Sequence, residues 1–455
     1  MKNPFSLNPV ALRELRQLVR SKIITVGLAL FPGLLFVFTM LAVSNAMSDK
    51  PPEELAFGDG LGSGPFTTAS VLTGIVAMLG IPFFAAIKTI LETKRESSGL
   101  EFTTALTPAN IVGGRIAATA ILSGAAVAMA MPFFIFAYLL RGIRLQDVFL
   151  VPFCLFASGL TIFSVSLAIA CRKGPVALRI IATVLLFFLA LMMGNIPFIA
   201  FGISRHAEPP PALEVAAWFA VSLAAVILFF RAYCASLLAP PHVDGERPFR
   251  RVVFALFLLS APLAYFYDLE AWSMGWTFVS GALMLQSAMS PRGIPRAASG
   301  AAPRGIFRRL ISYPFTTGAA PGLLFSSAIL AVAAALFCKD ASLDVACTFL
   351  ASIAEVTFPP ILVGAMLRRV KASPKAYRNA TCIMVALLIL VTLVSIMAAT
   401  DAIGNHTGDM LPCNFRGIAS YPQAHFGTYG ILLALSLVII AVSSVLSFRK
   451  YKRPQ

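Results

Sequence analysis

The chain has 455 residues, of which 58% are hydrophobic and only 12% are charged. A soluble domain carries roughly 25% charged residues, so this composition excludes a soluble protein and predicts an integral membrane protein. The formal net charge of +16 would suit nucleic-acid binding in a soluble chain. In a membrane protein it must first be explained by where the Lys and Arg residues lie.

The first predicted element is an amphipathic helix within residues 1–22, in the stretch NPVALRELRQLVRSK. Asn8 suits the N-cap, and Pro9 suits the first helical position, where its missing N–H costs nothing. Leucines recur at helical spacing on one face. The opposite face is charged and includes Arg13, Glu14 and Arg16. We expect an interfacial helix with leucines in the acyl boundary and arginines among anionic headgroups, or, alternatively, a basic anchor that only sets orientation.

Apolar runs long enough to cross a bilayer follow, since a spanning helix needs about 20 apolar residues. They predict an all-α fold, a polytopic transmembrane helical bundle of about 12 spans. The runs lie at 23–46, 67–91, 115–140, 148–171, 180–203, 213–238, 252–267, 272–289, 310–337, 344–367, 379–400 and 426–447. The seventh and eighth runs are short and could form a re-entrant hairpin, which would still leave both termini on one side.

The Lys and Arg residues are concentrated in alternate loops. With the amino terminus inside, the segments predicted to be cytoplasmic hold most of the 36 Lys and Arg residues, and the outward loops hold few. We therefore expect both termini in the cytoplasm, and no nucleic-acid partner. Lys88 lies within a span near its inner end, and its side chain is expected to extend to the interface.

A charged stretch, ETKRESSGLEFTTALTPANIVGGR (92–115), separates the second and third runs. Its helical spacing predicts a short cytoplasmic helix that Thr107 and Pro108 end, because proline disfavours the α conformation of the preceding residue. Asn110 is then expected to cap the next helix. A simple connector needs only a handful of residues, so this longer segment is predicted to have a further role.

These two cytoplasmic segments together resemble the membrane subunit of an ABC-2 type transporter. The resemblance covers about residues 8–238, the six-span unit of that family. It implies that 92–114 forms a coupling helix that docks on a separate ATP-binding subunit. It assigns Arg95, Glu96, Glu101, Thr107 and Pro108 to the docking surface, and Arg13, Glu14 and Arg16 to the interfacial helix.

The expected function is a permease subunit that moves cargo by alternating access across a bacterial inner membrane, with family resemblance favouring export. No catalytic residue is assigned, since the loops are short and no GxxxxGK[ST] motif occurs. ATP and Mg would be bound by the partner, and this chain would carry no cofactor. Either one chain or a homodimer would present two docking sites. The alternatives are an ion-coupled secondary transporter and a membrane scaffold or assembly protein without transport.

Residues 239–455 are predicted to form a second transmembrane unit of about six spans, after the first at 23–238. The loop at 290–309 is rich in Pro, Gly, Ala and Arg, which is typical of a flexible basic linker on the anionic inner leaflet. The sequence AAPG at 319–322, inside the ninth run, predicts a kink or a close helix approach.

One acid, Glu355, is predicted near the middle of a span, the tenth. A charge there is costly, so Glu355 must face the bundle, be protonated or find a partner. It could belong to a cargo or proton path, or be a buried, neutral structural acid. The four histidines and seven cysteines show no ligand spacing, so no metal site is expected.

Overall fold

The computed structural model describes the chain in nine stretches and four single residues. These are 8–48, 61–94, 107–172, 175–188, 212–239, 244–267, 269–288, 306–340 and 361–370, with Ser373, Ala376, Ala380 and Ile440. All regular structure in these stretches is helical, with no strand among them, which confirms the all-α class. The chain divides into two compact units, Met1–Leu238 and Ala239–Gln455.

The first unit begins with a short amphipathic helix and continues with longer apolar ones. Its helices are α1 (Pro9–Val19), α2 (Lys22–Ser48), α3 (Ser63–Thr73), α4 (Ile81–Lys94), α5 (Pro108–Leu139), α6 (Leu145–Cys171), α7 (Val176–Phe188) and α8 (Ala212–Leu238). The Asn8 side chain accepts a hydrogen bond from the Val10 amide at 3.1 Å, and Pro9 lies in the first turn. The predicted start of the amphipathic helix is therefore confirmed.

Six helices of the described chain are long and apolar enough to cross a membrane. They are Lys22–Ser48, Ser63–Glu92, Pro108–Leu139, Leu145–Cys171, Ala220–Leu238 and Ala319–Leu336. Helices satisfy their own backbone hydrogen bonds, which is what a hydrocarbon solvent demands. The six are consistent with a multi-pass membrane protein. The predicted spans at 379–400 and 426–447 lie outside the described residues, apart from Ala380 and Ile440.

A π-helical turn, Gly74–Gly80, joins α3 to α4 within one long apolar helix. Gly159 of α6 packs directly against this turn: a Cβ placed on Gly159 would lie 2.7 Å from the Ala77 carbonyl oxygen and 3.0 Å from the Met78 Cα. Small residues at helix contacts let two backbones approach closely in a membrane. The first unit is therefore packed backbone to backbone at this point.

The second unit contains α9 (Glu246–Tyr267), α10 (Leu269–Ala288), α11 (Ile306–Ser312), α12 (Ala319–Asp340) and α13 over 361–369. Helices α10 and α12 pack along each other. Their contact contains a core of fully buried apolar side chains, which are Met284, Ala288, Leu323, Ile361 and Ile440. The core thus also includes a residue of α13.

An aromatic cluster joins α9 to α10. The indole N–H groups of Trp272 and Trp276 both donate to the Ser260 hydroxyl at 2.9 Å, and that hydroxyl donates to the Phe257 carbonyl at 3.0 Å. The Phe257 ring lies 5.3 Å and 5.1 Å from the two indoles. Hydrogen bonds and ring contacts together hold the two helices in register.

The ninth predicted run, 310–337, is not one continuous helix. Helix α11 ends at Ser312, a 3-10 turn (Tyr313–Phe315) follows, and α12 begins at Ala319. Gly318 has a φ of 140°, in the region that favours glycine. The predicted single span is therefore wrong at its start, where the chain breaks into two helices.

The residues 319–322 lie in the first turn of α12. Pro321 is tolerated there because the first amides of a helix have no intrahelical acceptor to lose. A Cβ on Gly322 would collide with Ser287 and Arg250. The predicted close approach is confirmed, and it brings the start of α12 against both α9 and α10.

Candidate functional site

Helix α1 docks on the first turns of α5. A Cβ on Gly114 would lie 2.7 Å from the Val10 Cβ and 3.0 Å from the Ala11 backbone nitrogen, so the two helices touch almost backbone to backbone. The Asn8 side chain donates a hydrogen bond to the Asn110 carbonyl at 2.6 Å. Val10 and Ala11 are buried in this contact. The amphipathic helix is thus fastened to the protein as well as suited to the interface.

Glu14 projects from the docked face of α1 and is only 5% exposed. One carboxylate oxygen lies 3.0 Å from the Lys88 amine of α4, and the other lies 3.3 Å from Arg115 Nε of α5. Glu92, one turn after Lys88, lies 3.6 Å from the Lys88 amine and 3.9 Å from Arg115 Nη2. We call these four residues the charge cluster.

The charge cluster is electrically balanced, with two acids and two bases. The Lys88 amine also donates to the Gln17 side chain at 2.9 Å, which adds a second contact to α1. Partly buried pairs are screened by salt much less than exposed ones. Removal of one member of a buried pair costs about 3–5 kcal/mol, because the remaining charge is left without compensation. The cluster therefore makes α1, α4 and α5 dependent on one another.

The charge cluster lies at both ends of the predicted coupling segment. Glu92 is close to the end of α4, and Arg115 lies in the third turn of α5, while residues 95–106 between the two helices are outside the described part of the chain. The coupling segment therefore connects α4 to α5, and each of these helices carries residues of the charge cluster. The two helices that flank it are both paired with α1 through Glu14.

Thr107 and Pro108 begin α5. The Thr107 hydroxyl oxygen accepts from the Asn110 amide at 3.4 Å, and Pro108 occupies the first helical turn. The expectation that Asn110 caps this helix is wrong, since proline suits the first position and leaves the residue before it as the cap. Asn110 instead offers its carbonyl to Asn8.

The remaining predicted site residues fall into three groups. Arg13 and Arg16 are exposed on α1, as expected of its polar face. Glu14 was expected on that face too, but it is buried because two cations face it. Arg95, Glu96, Glu101 and Glu355 lie outside the described residues.

Three members of the charge cluster were not singled out as site residues from the sequence. Lys88 was expected to extend to the interface; its amine donates to Glu14 and Gln17, which both lie on the helix predicted at that interface. A signal was available in the spacing of Lys88 and Glu92, which places opposite charges one turn apart at the end of an apolar run. Arg115 gave no such local signal, since its partners lie on other helices.

The charge cluster fixes the positions of α1, α4 and α5 relative to one another, and it holds neither a thiol nor a hydroxyl nucleophile. Within the described stretches, no group of three or more His, Cys, Asp or Glu side chains could hold a metal ion. No family model, curated protein or solved structure matches the chain significantly.

Proposed function

We propose that this chain is the permease subunit of an ATP-driven transporter of the ABC-2 type, which exports a cargo across a bacterial inner membrane. Twelve spans with both termini in the cytoplasm, and a separate ATP-binding subunit, belong to this proposal. One observation supports it above the others: the charge cluster binds the amphipathic α1 to both helices that flank the predicted coupling segment. A simple connector between spans would need no such attachment.

The mechanism is mechanical. Closure of the ATP-binding subunits around ATP displaces the coupling segment, and the displacement enters the membrane through the end of α4 and the start of α5. The two helices cannot separate easily, because Glu14 bridges Lys88 on one and Arg115 on the other. They move with α1 as one body, which is the rigid-body form of a two-state transition.

Recognition of the ATP-binding subunit would depend on the charges of the coupling segment. Arg95, Glu96 and Glu101 offer both signs within a short stretch. Complementary charges give a partner register and suppress wrong pairings more than they add affinity. Two ATP-binding subunits need two docking surfaces, which a homodimer of this chain or the two halves of a single chain would supply.

Purification from native membranes in a mild detergent tests this function. We expect the full chain to bring down a P-loop ATPase in stoichiometric amount. The double variant Glu96→Lys, Glu101→Lys should recover roughly tenfold less of it, because reversal of two charges adds repulsion at the docking surface. The matched control is Glu53→Lys, Glu54→Lys, which makes the same change in the loop predicted to face outward.

The outcome that contradicts the proposal is a wild-type chain that purifies without any ATPase. If both double variants lost the ATPase equally, the loss would follow from the change in total charge. The coupling segment would then have no docking role. Quantitative mass spectrometry of the purified samples gives the ATPase-to-permease ratio, and size-exclusion chromatography confirms that the variants are folded.

A further inference from the structure

The ends of four helices, α9, α10, α12 and α13, lie together at one end of the second unit. Arg250, near the start of α9, donates to the carbonyls of Pro314 at 2.9 Å and Gly318 at 3.1 Å, just before α12. Arg368, at the end of α13, donates to the carbonyl of Ala288, the last residue of α10, at 3.0 Å. Gly322 of α12 lies against both Arg250 and Ser287 of α10, so the starts of α9 and α12 lie beside the ends of α10 and α13.

This end, which we call the basic end, is rich in arginine. Its members are Arg247, Arg250, Arg251, Arg308, Arg368 and Arg369. Two acids lie with them, and both are engaged: Glu246 is 2.5 Å from Arg250, and Asp244 accepts from the Thr317 amide at 3.0 Å and from the Thr317 hydroxyl. The described part of the basic end therefore carries an excess of positive charge.

Three of the arginines are presented outward. Arg251, Arg308 and Arg369 are exposed. Nε of Arg247 is buried and has no hydrogen-bond partner among the described residues. A guanidinium offers several donors in a planar fork, a geometry that matches the oxygens of a phosphate.

Helix α11 adds an apolar face to the basic end. Phe307, Leu310 and Ile311 recur at helical spacing on one side of it and are 73%, 56% and 56% exposed. The helix does not continue into α12: Gly318 has a non-helical φ of 140°, and Arg250 donates to the carbonyls of Pro314, Thr316 and Gly318 in the turn between the two helices. The short helix α11 therefore carries Arg308 next to an exposed apolar surface.

We propose that the basic end and the apolar face of α11 together bind an anionic phospholipid. The arginines hold the phosphate headgroup, and Phe307, Leu310 and Ile311 contact the acyl chains. An amphiphile with one negative headgroup satisfies both surfaces at once, and the bilayer supplies such molecules at high local concentration. An acidic protein would match the arginines but would have to bring its own apolar patch. This site is independent of the proposed transport function.

Lipid retention by the purified full chain tests the site. The protein in mild detergent is equilibrated with equal amounts of phosphatidylglycerol and phosphatidylcholine, washed, and assayed for bound lipid by mass spectrometry. Wild type should retain phosphatidylglycerol in preference. Because each arginine near an anionic lipid surface contributes about 1 kcal/mol, the double substitution Arg251→Gln, Arg308→Gln should lower that preference roughly thirtyfold. Arg251→Lys, Arg308→Lys should keep most of it.

The matched control for charge is Arg141→Gln, Arg144→Gln, which removes two arginines from the first unit and should leave the preference unchanged. To test the apolar face of α11, Leu310→Ser should lower the total amount of bound phosphatidylglycerol. Leu259→Ser, which replaces a leucine that is 71% exposed on α9, should not. Size-exclusion chromatography identifies any variant that fails to fold.

The proposal is overturned if wild type shows no preference for phosphatidylglycerol, a result that needs no variant. It is also overturned if both double glutamine variants lose the preference equally, since the arginines would then act only through total charge. A preference that persists in Arg251→Gln, Arg308→Gln places the lipid site elsewhere and excludes the basic end.

Discussion

At the scale of single residues, Glu14 organises the junction of the first unit. Its two carboxylate oxygens face different cations on different helices, 3.0 Å and 3.3 Å away. A surface ion pair contributes little because water competes for both partners. Glu14 differs because it is buried, so its loss would leave two cations beside one remaining acid, Glu92.

Glu14→Gln should lower the free energy of unfolding of the first unit by about 3 kcal/mol, since the isosteric amide keeps the packing but removes the compensating charge. The loss of the helical circular-dichroism signal as the protein unfolds in detergent measures the change. Arg16→Gln on the exposed side of the same helix is the control and should stay within about 0.5 kcal/mol of wild type.

An energetic coupling between Glu14 and Lys88 would show that Glu14→Gln acts through the lost ion pair and not through a general destabilisation of α1. In a double-mutant cycle with Lys88→Gln, residues in one ion network should show an interaction energy of about 1–3 kcal/mol. Additive effects of the two substitutions would mean that the pair at 3.0 Å contributes nothing specific, and the charge cluster would lose its role.

At the scale of elements, the contact of α1 with α5 depends on the absence of a side chain at Gly114. The neighbouring Gly113 faces Arg231 instead, with its hypothetical Cβ 3.4 Å from a flexible guanidinium. Two adjacent glycines in one helix therefore differ in what they contact: backbone in one case and a movable side chain in the other.

Gly114→Ala should separate α1 from α5 and destabilise the first unit by about 1–3 kcal/mol, the usual effect of overpacking. Gly113→Ala should be neutral or stabilising, because alanine favours a helix over glycine by about 1 kcal/mol and Arg231 can move aside. Thermal unfolding and limited proteolysis near α1 measure both. Equal behaviour of the two variants would show that α1 is not held at Gly114.

Local chemistry explains which parts of these elements could be predicted from the sequence. Asn8 and Pro9 mark the start of α1 through interactions within a few residues, so the start was found correctly. Burial of Glu14 requires a partner 74 residues further along the chain, and no periodicity within α1 contains that information. The turn before α12 is likewise held by Arg250, which donates to carbonyls 64 and 68 residues away.

At the scale of the whole molecule, composition and hydrophobic runs were sufficient for the all-helical class and for a multi-pass membrane protein. Apolar length is a property of each segment alone, so six candidate spans can be recognised without knowledge of their neighbours. Function is different, because docking and transport depend on partners. The proposal of an ATP-driven permease accordingly depends on the pattern of cytoplasmic charges and on the charge cluster.

The proposed orientation gives a prediction for the complete chain. A fluorescent protein fused after Gln455 should fold in the cytoplasm, whereas alkaline phosphatase fused there should be inactive, because it requires an oxidising compartment. A cysteine placed at Glu53 should react with a membrane-impermeant maleimide in intact cells. Absence of labelling at position 53 would place the coupling segment away from any cytoplasmic ATPase. An active alkaline phosphatase after Gln455 would instead mean an odd number of spans.

The aromatic cluster of the second unit has an optical consequence. The chain contains three tryptophans, and two of them, Trp272 and Trp276, share the Ser260 hydroxyl. Indole emission is sensitive to hydrogen bonding and to nearby rings, so intrinsic fluorescence reports mainly on the α9 and α10 pair. The second unit therefore carries its own spectroscopic probe, and a change in emission on addition of lipid or nucleotide would reveal motion there without any attached dye.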